Sequence, residues 1–240
     1  MKCIDVKGLV KSFNGVRALN GLSFSVECGD SAALLGPNGA GKTTTMRIIA
    51  GLLRPDSGFV NVCGFDVIKE PRKTKSCLGY LPEDAAPFMN LTVRENLEYV
   101  SLVRGLSNVK DAVEWVAQAL GLGGLMNVQP SLLSRGNRQR VALAMAIIHK
   151  PKVLLLDEPL NYLDIPTQEN VIELLLNMKR NGTTMLISTH IMSVAERLAN
   201  RVIMINKGKL IWEGSINELM NLVKPGERIE EAVARMLKEA

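Results

Sequence analysis

Apolar positions change rhythm along this chain, and the changes divide it. Residues 4–13 and 16–26 read as two extended segments around Asn14-Gly15, the commonest short hairpin signal, and predict a pair of strands. The unbroken apolar run at residues 32–35 predicts a third, buried strand. A helix from Lys42 to about Leu52 comes next, then a break at Pro55 and Gly58, then strands near residues 59–63 and 77–81. From Leu91 the rhythm becomes helical: Thr92-Val93-Arg94-Glu95 has capping-box spacing, and residues 109–120 and 137–149 repeat apolar side chains at helical intervals. Strand and helix then alternate through residues 153–156, 171–178, 183–188, 191–198 and 202–205, the order of a largely parallel sheet. A final amphipathic segment follows Pro225-Gly226, with Ile229, Val233, Met236 and Leu237 on one face.

With 240 residues, 47% of them hydrophobic, the chain can bury the core of one α/β domain with a smaller lobe attached, which excludes disorder. The net charge of +5 is spread rather than blocked, so no nucleic-acid partner is expected. Cys3, Cys28, Cys63 and Cys77 are widely separated, without a C-x-x-C pair, and are expected to be reduced and mostly buried. Lys2, Asp5, Lys7 and Lys11 interrupt the N-terminal segment, which lacks the apolar core of a signal peptide. His149, Lys150 and Lys152 likewise interrupt the longest apolar stretch, residues 141–156. A soluble, cytoplasmic chain without membrane segments is expected.

The chemistry begins at Gly36-Pro37-Asn38-Gly39-Ala40-Gly41-Lys42-Thr43-Thr44, a glycine-rich loop between a strand and a helix start. Backbone N–H groups there can curl around a polyphosphate at the positive end of the helix dipole, Lys42 can reach the β- and γ-phosphates, and Thr43 can offer a hydroxyl to Mg²⁺. A second site is the apolar strand 153–156 ending in Asp157-Glu158-Pro159. Paired carboxylates belong at the exposed C-terminal edge of such a sheet, where Asp157 would hold Mg²⁺ and Glu158 would orient or deprotonate an attacking water.

With these two sites the chain resembles the nucleotide-binding subunits of ATP-binding cassette (ABC) transporters, over residues 1 to about 220. Leu133-Ser134-Arg135-Gly136-Asn137-Arg138-Gln139-Arg140 is similar to the family signature LSGGQ-x-Q-R. Ser134 and Gly136 keep their places, while Arg135 and Asn137 depart from Gly and Gln, a pattern resembling the drug-export, ABC-2 type branch. The resemblance implies a P-loop NTPase fold: a RecA-like core (residues 1–83 and 151–220) with an N-terminal antiparallel β region, an inserted helical lobe (84–150) and a helical extension (221–240). It also implies that Ser134 and Gly136 form a second phosphate cup closing over ATP bound to another subunit. Leu163-Asp164 resembles the D-loop that couples the two sites, His190 the switch histidine facing the γ-phosphate, and Phe13 the aromatic that stacks on adenine. Glu83 stands where the Q-loop usually carries glutamine; a carboxylate there can ligate Mg²⁺, though a mechanical link to the helical lobe is the safer role. His149, near the end of the signature helix, reads as structural.

The implied function is an ATPase that binds ATP and Mg²⁺, dimerises head to tail with a second copy or a similar chain, and drives separate transmembrane permease subunits, in export rather than import, from the inner face of the membrane. Docking is expected near residues 83–92, with Pro87, Phe88 and Met89 exposed. The alternative is a soluble ABC ATPase serving assembly or scaffolding, as in iron–sulfur cluster assembly. DNA-repair ATPases are disfavoured, because they usually place a long coiled coil where this chain has ordinary short helices between Lys42 and Asp157.

Overall fold

The structure is a computed structural model and describes residues 1–238. Strands β1 (Lys2–Phe13) and β2 (Val16–Glu27) form the predicted hairpin, its turn residues Asn14 and Gly15 both at positive φ, 48° and 82°. β3 (Ser31–Leu35) is buried along its whole length and leads through the glycine-rich loop into α1 (Lys42–Ile49). β4 (Ser57–Val62) and the two-residue β5 (Phe65–Asp66) complete an antiparallel sheet in the order β2-β1-β4-β5.

α2 (Pro71–Cys77) and β6 (Leu78–Leu81) lead to the helical lobe of α3 (Val93–Val103), α4 (Val109–Ala119) and α5 (Arg135–Ile147). The capping box is present as spaced: Glu95 N–H donates to Thr92 Oγ1 at 3.2 Å and Thr92 N–H to Glu95 Oε2 at 2.7 Å. The chain then alternates through β7 (Val153–Asp157), α6 (Ile165–Arg180), β8 (Thr184–Ser188), α7 (Met192–Leu198), β9 (Arg201–Asn206), β10 (Lys209–Ser215), α8 (Ile216–Asn221) and α9 (Ile229–Lys238). The second sheet runs β10-β9-β3-β8-β7-β6, parallel except for β10 at its edge.

Helix α1 lies between the sheets. Its first turn holds Thr43-Thr44-Thr45, β-branched residues with weak helix propensity, so its stability comes from packing. Met46, Ile48 and Ile49 are fully buried in one cluster with Leu34, Val60 and Leu155, each contributing roughly 1.5–3 kcal/mol by burial. A second cluster joins α3, α4, α5 and α6 to Leu81, Leu154 and Leu156, fixing the lobe to the sheet. A third holds α7, α8 and α9 against β3 and β9.

Four elements lie outside the sequence expectations, for physical reasons. β5 and α2 are too short for a period to show, and α2 buries only Thr74 and Cys77. β10 is an edge strand held by backbone pairing with β9, with only Gly214 buried, and α8 is a short capped turn. The cysteine expectation is corrected for one pair. Lys2 on β1 lies opposite Glu27 on β2, so the strand ends bring Cys3 and Cys28 together, and they form a disulfide. Cys63 and Cys77 are free thiols. Pro87 is also corrected: it is buried, whereas Phe88 (48%) and Met89 (36%) are exposed.

Candidate functional site: a phosphate-binding cleft

Sheet register sets the site. Ser188 at the end of β8 lies opposite Leu34 on β3 and opposite Asp157 on β7, so three neighbouring strands finish level. The glycine-rich loop leaves the first, Thr189-His190 the second and Glu158-Pro159 the third, all at the C-terminal edge where open α/β sheets bind ligands.

Gly41 caps α1 with φ at 105°, and a Cβ there would lie 2.7 Å from Leu19 Cδ2 and 2.8 Å from the Ala18 carbonyl oxygen. Only glycine satisfies both constraints. Lys42 Nζ donates to the carbonyls of Gly36 (2.7 Å) and Pro37 (3.2 Å), folding back over the loop it closes. Burial draws the Lys42 pKa below the ordinary lysine range, and the nearby Glu158, Asp157 and Glu83 carboxylates act in the opposite sense. Thr43 Oγ1 donates to Asp157 Oδ2 at 3.0 Å, joining the two residues expected at Mg²⁺.

Glu158 sits at φ 50°, outside the comfortable region for a non-glycine residue, and its peptide N–H donates to the Ser188 carbonyl at 2.8 Å. Its carboxylate meets His190 Nδ1 at 2.8 Å and accepts from Thr189 Oγ1 at 3.4 Å. With Glu158 ionised, the proton lies on His190 Nδ1 and the imidazole orients the carboxylate. Buried Gln139 on α5 donates to the carbonyls of Glu158 (3.3 Å) and Pro159 (3.4 Å), tying the signature helix to this strained turn.

A cleft of about 790 Å³ gathers Gly36, Pro37, Asn38, Gly39, Ala40, Gly41, Lys42, Thr43 and Thr44 with Phe13, Glu83, Asp157, Glu158 and His190. Phe13 is 46% exposed there, a cleft wall rather than a core residue. Ser134 and Gly136 are not among the cleft residues: Ser134 is the exposed N-cap of α5, accepting from Asn137 N–H at 3.3 Å. Asp164 caps α6, accepting from Thr167 N–H at 2.9 Å, and these bonds hold its pKa below the usual carboxylate range. His149 is confirmed as structural but is uncharged at neutral pH. Burial, and then Arg104, lowers its pKa to about 4, and Nε2 meets the Leu78 carbonyl at 3.1 Å.

Gln139, Thr189 and Ala18 belong to the site and were not singled out from sequence. Gln139 and Thr189 had a signal, one inside the signature match and the other beside the switch histidine His190. The donor set suits a hard cation: a hydroxyl and a carboxylate already share a hydrogen bond, with oxygen as the only donor type. Among the described residues no group of three or more His, Cys, Asp or Glu could hold a metal alone.

Fold and cleft together define a P-loop nucleotide-binding protein. The ABC transporter family matches residues 19–161. The chain is 38% identical over 207 residues to the ABC transporter ATP-binding protein NatA of Bacillus subtilis, covering 85% of this chain and 84% of NatA. It is 39% identical to the Nod factor export ATP-binding protein I of Burkholderia orbicola, covering 90% of this chain and 72% of that protein. Among solved structures, an ATP-binding subunit of an ABC transporter superposes with a TM-score of 0.89 at 26% identity, covering 98% of this chain and 99% of that one. The cassette MJ0796, solved as a dimer in a post-hydrolysis state with ADP and Pi, gives 0.83 at 25% identity over 89% and 98%. The chain belongs to the ATP-binding subunits of ABC transporters and is an ATPase. The relatives favour the transporter reading over an assembly ATPase. No helix among the described residues is long and apolar enough to cross a membrane.

Proposed function

We propose that this chain is one half of a two-chain ATP clamp that drives membrane-embedded permease subunits from the inner face of the membrane, in the direction of export. The observation that carries the clamp is that Ser134 and Gly136, the second phosphate cup, stand apart from the cleft that gathers every other expected phosphate contact. A cup unable to serve its own chain's nucleotide has a use when a second copy, or a similar chain, presents one head to tail. The chain resembles a Nod factor export subunit, which supports the export direction. An exposed Phe88–Tyr99 pair, ring centroids 5.1 Å apart, follows Glu83 and offers an apolar surface to a membrane subunit.

In this reading Phe13 stacks on the adenine, the loop N–H groups and Lys42 hold the triphosphate, and Thr43 and Asp157 hold Mg²⁺. Bound Mg²⁺ neutralises phosphate charge. Glu158, turned into the cleft by its left-handed backbone and oriented by His190, takes a proton from the attacking water. Glu158→Gln is expected to lower kcat by about 10²- to 10⁴-fold while ATP still binds. Light scattering tests the clamp: Glu158→Gln should dimerise with Mg-ATP, and Glu158→Gln combined with Ser134→Glu should bind ATP but stay monomeric. Dimerisation of the double variant would refute the cup's role.

A further inference from the structure

Arg135 and Tyr162 meet in a contact that none of the roles above uses. Tyr162 lies between Pro159 and α6 with φ at 67°, a region a bulky side chain enters only at a cost in free energy. The residue is 50% exposed, and the Arg135 guanidinium lies over its ring, 4.2 Å from the centroid. At the next residue, a Cβ on Gly136 would come within 2.5 Å of the Tyr162 carbonyl oxygen, so the loop and the first turn of α5 approach backbone to backbone. With the Gln139 bonds to Glu158 and Pro159, the Glu158 turn, Tyr162 and the Ser134 turn form one continuous seam.

The first turn of α5 carries no acidic residue, although it begins with Arg135 and also includes Arg138. A cation at a helix N-terminus is opposed by the dipole, so holding a guanidinium there requires another attraction. The Tyr162 ring supplies it on one face. The exposed Arg135 keeps donors suited to bidentate phosphate recognition.

We propose that Tyr162 is a positioning residue of the second phosphate site: its ring fixes the Arg135 guanidinium beside Ser134, so that both engage the phosphates of a nucleotide held by the neighbouring chain. This rests on the two-chain clamp and names what holds its second jaw in shape.

In the Glu158→Gln background, the Mg-ATP concentration giving half-dimerisation is measured for Tyr162→Phe, Tyr162→Gly, Arg135→Ala and the pair Arg135→Ala/Tyr162→Gly. Phenylalanine keeps the ring face, and glycine suits the left-handed backbone, so Tyr162→Gly removes the stack without threatening the fold. Tyr162→Phe should match its parent. Tyr162→Gly should raise the midpoint roughly 2- to 30-fold at an unchanged or higher melting temperature. Arg135→Ala should raise it at least as much, and the pair no further than Arg135→Ala alone. With Glu158 intact, Tyr162→Gly should raise the KM for ATP by a larger factor than it lowers kcat. A parental midpoint in Tyr162→Gly, or effects that multiply in the pair, would overturn the inference. Failure of the Glu158→Gln parent to dimerise would overturn the clamp itself, and this inference with it.

Discussion

Glu83 shows how one side chain reports on its surroundings. Partial burial, then Asp157, Asp84 and Glu158, push its carboxyl above the ordinary glutamate pKa, and Lys42 offsets this only in part. A raised carboxyl pKa makes its stabilising contribution at low pH and loses it as pH rises through the folded value, so at neutral pH the Glu83 charge opposes the fold. Glu83→Ala should therefore raise the melting temperature at pH 7 without nucleotide. It should also leave the Mg²⁺ concentration for half-maximal ATPase activity unchanged, the outcome a mechanical link to the helical lobe would give. A raised Mg²⁺ requirement would make it a ligand after all. The glycine-rich loop, Asp157 and Glu158 were legible residue by residue, since each chemistry needs that residue type at that spacing. The Glu158–His190 bond and the Gln139 anchor were not, because partners 32 and 19 residues away meet only through sheet register and helix placement.

At the scale of elements, His149 joins the end of α5 to β6 through the Leu78 carbonyl. Its folded pKa of about 4 lies below the ordinary 6.5, so between these values the unfolded chain binds the proton that the folded chain refuses. The stabilisation is complete above pH 6.5 and is lost as pH falls towards 4, by about 3 kcal/mol. Melting curves across this window should show the loss, and His149→Gln should flatten it. The long periodic helices, the capped start of α3 and the Asn14-Gly15 hairpin were readable because local pattern alone selects them. α2 and β10 were not, because one is a single short helix and the other an edge strand whose pairing supplies its order.

For the whole molecule, the C-terminal segment belongs to the fold. Ala232 and Val233 are buried, Asn206 Nδ2 donates to the Leu237 carbonyl at 2.9 Å, and Arg235 pairs with Glu227 at 3.0 Å, holding that carboxyl down to about 2. Truncation after Lys224 should lower the melting temperature by on the order of 5–10 °C and leave the ATP dependence of dimerisation unchanged. A shifted dimerisation midpoint at full stability would instead mark α9 as regulatory. The sequence by itself determined the ligand class and the order of the longer strands and helices, because glycine spacing, paired carboxylates and apolar rhythm act over short stretches of chain. Only the tertiary structure decided that Cys3 reaches Cys28, that Glu158 meets His190, and that Arg135 lies on Tyr162. Those contacts arise from strand register and helix packing across tens of residues, which no local pattern encodes.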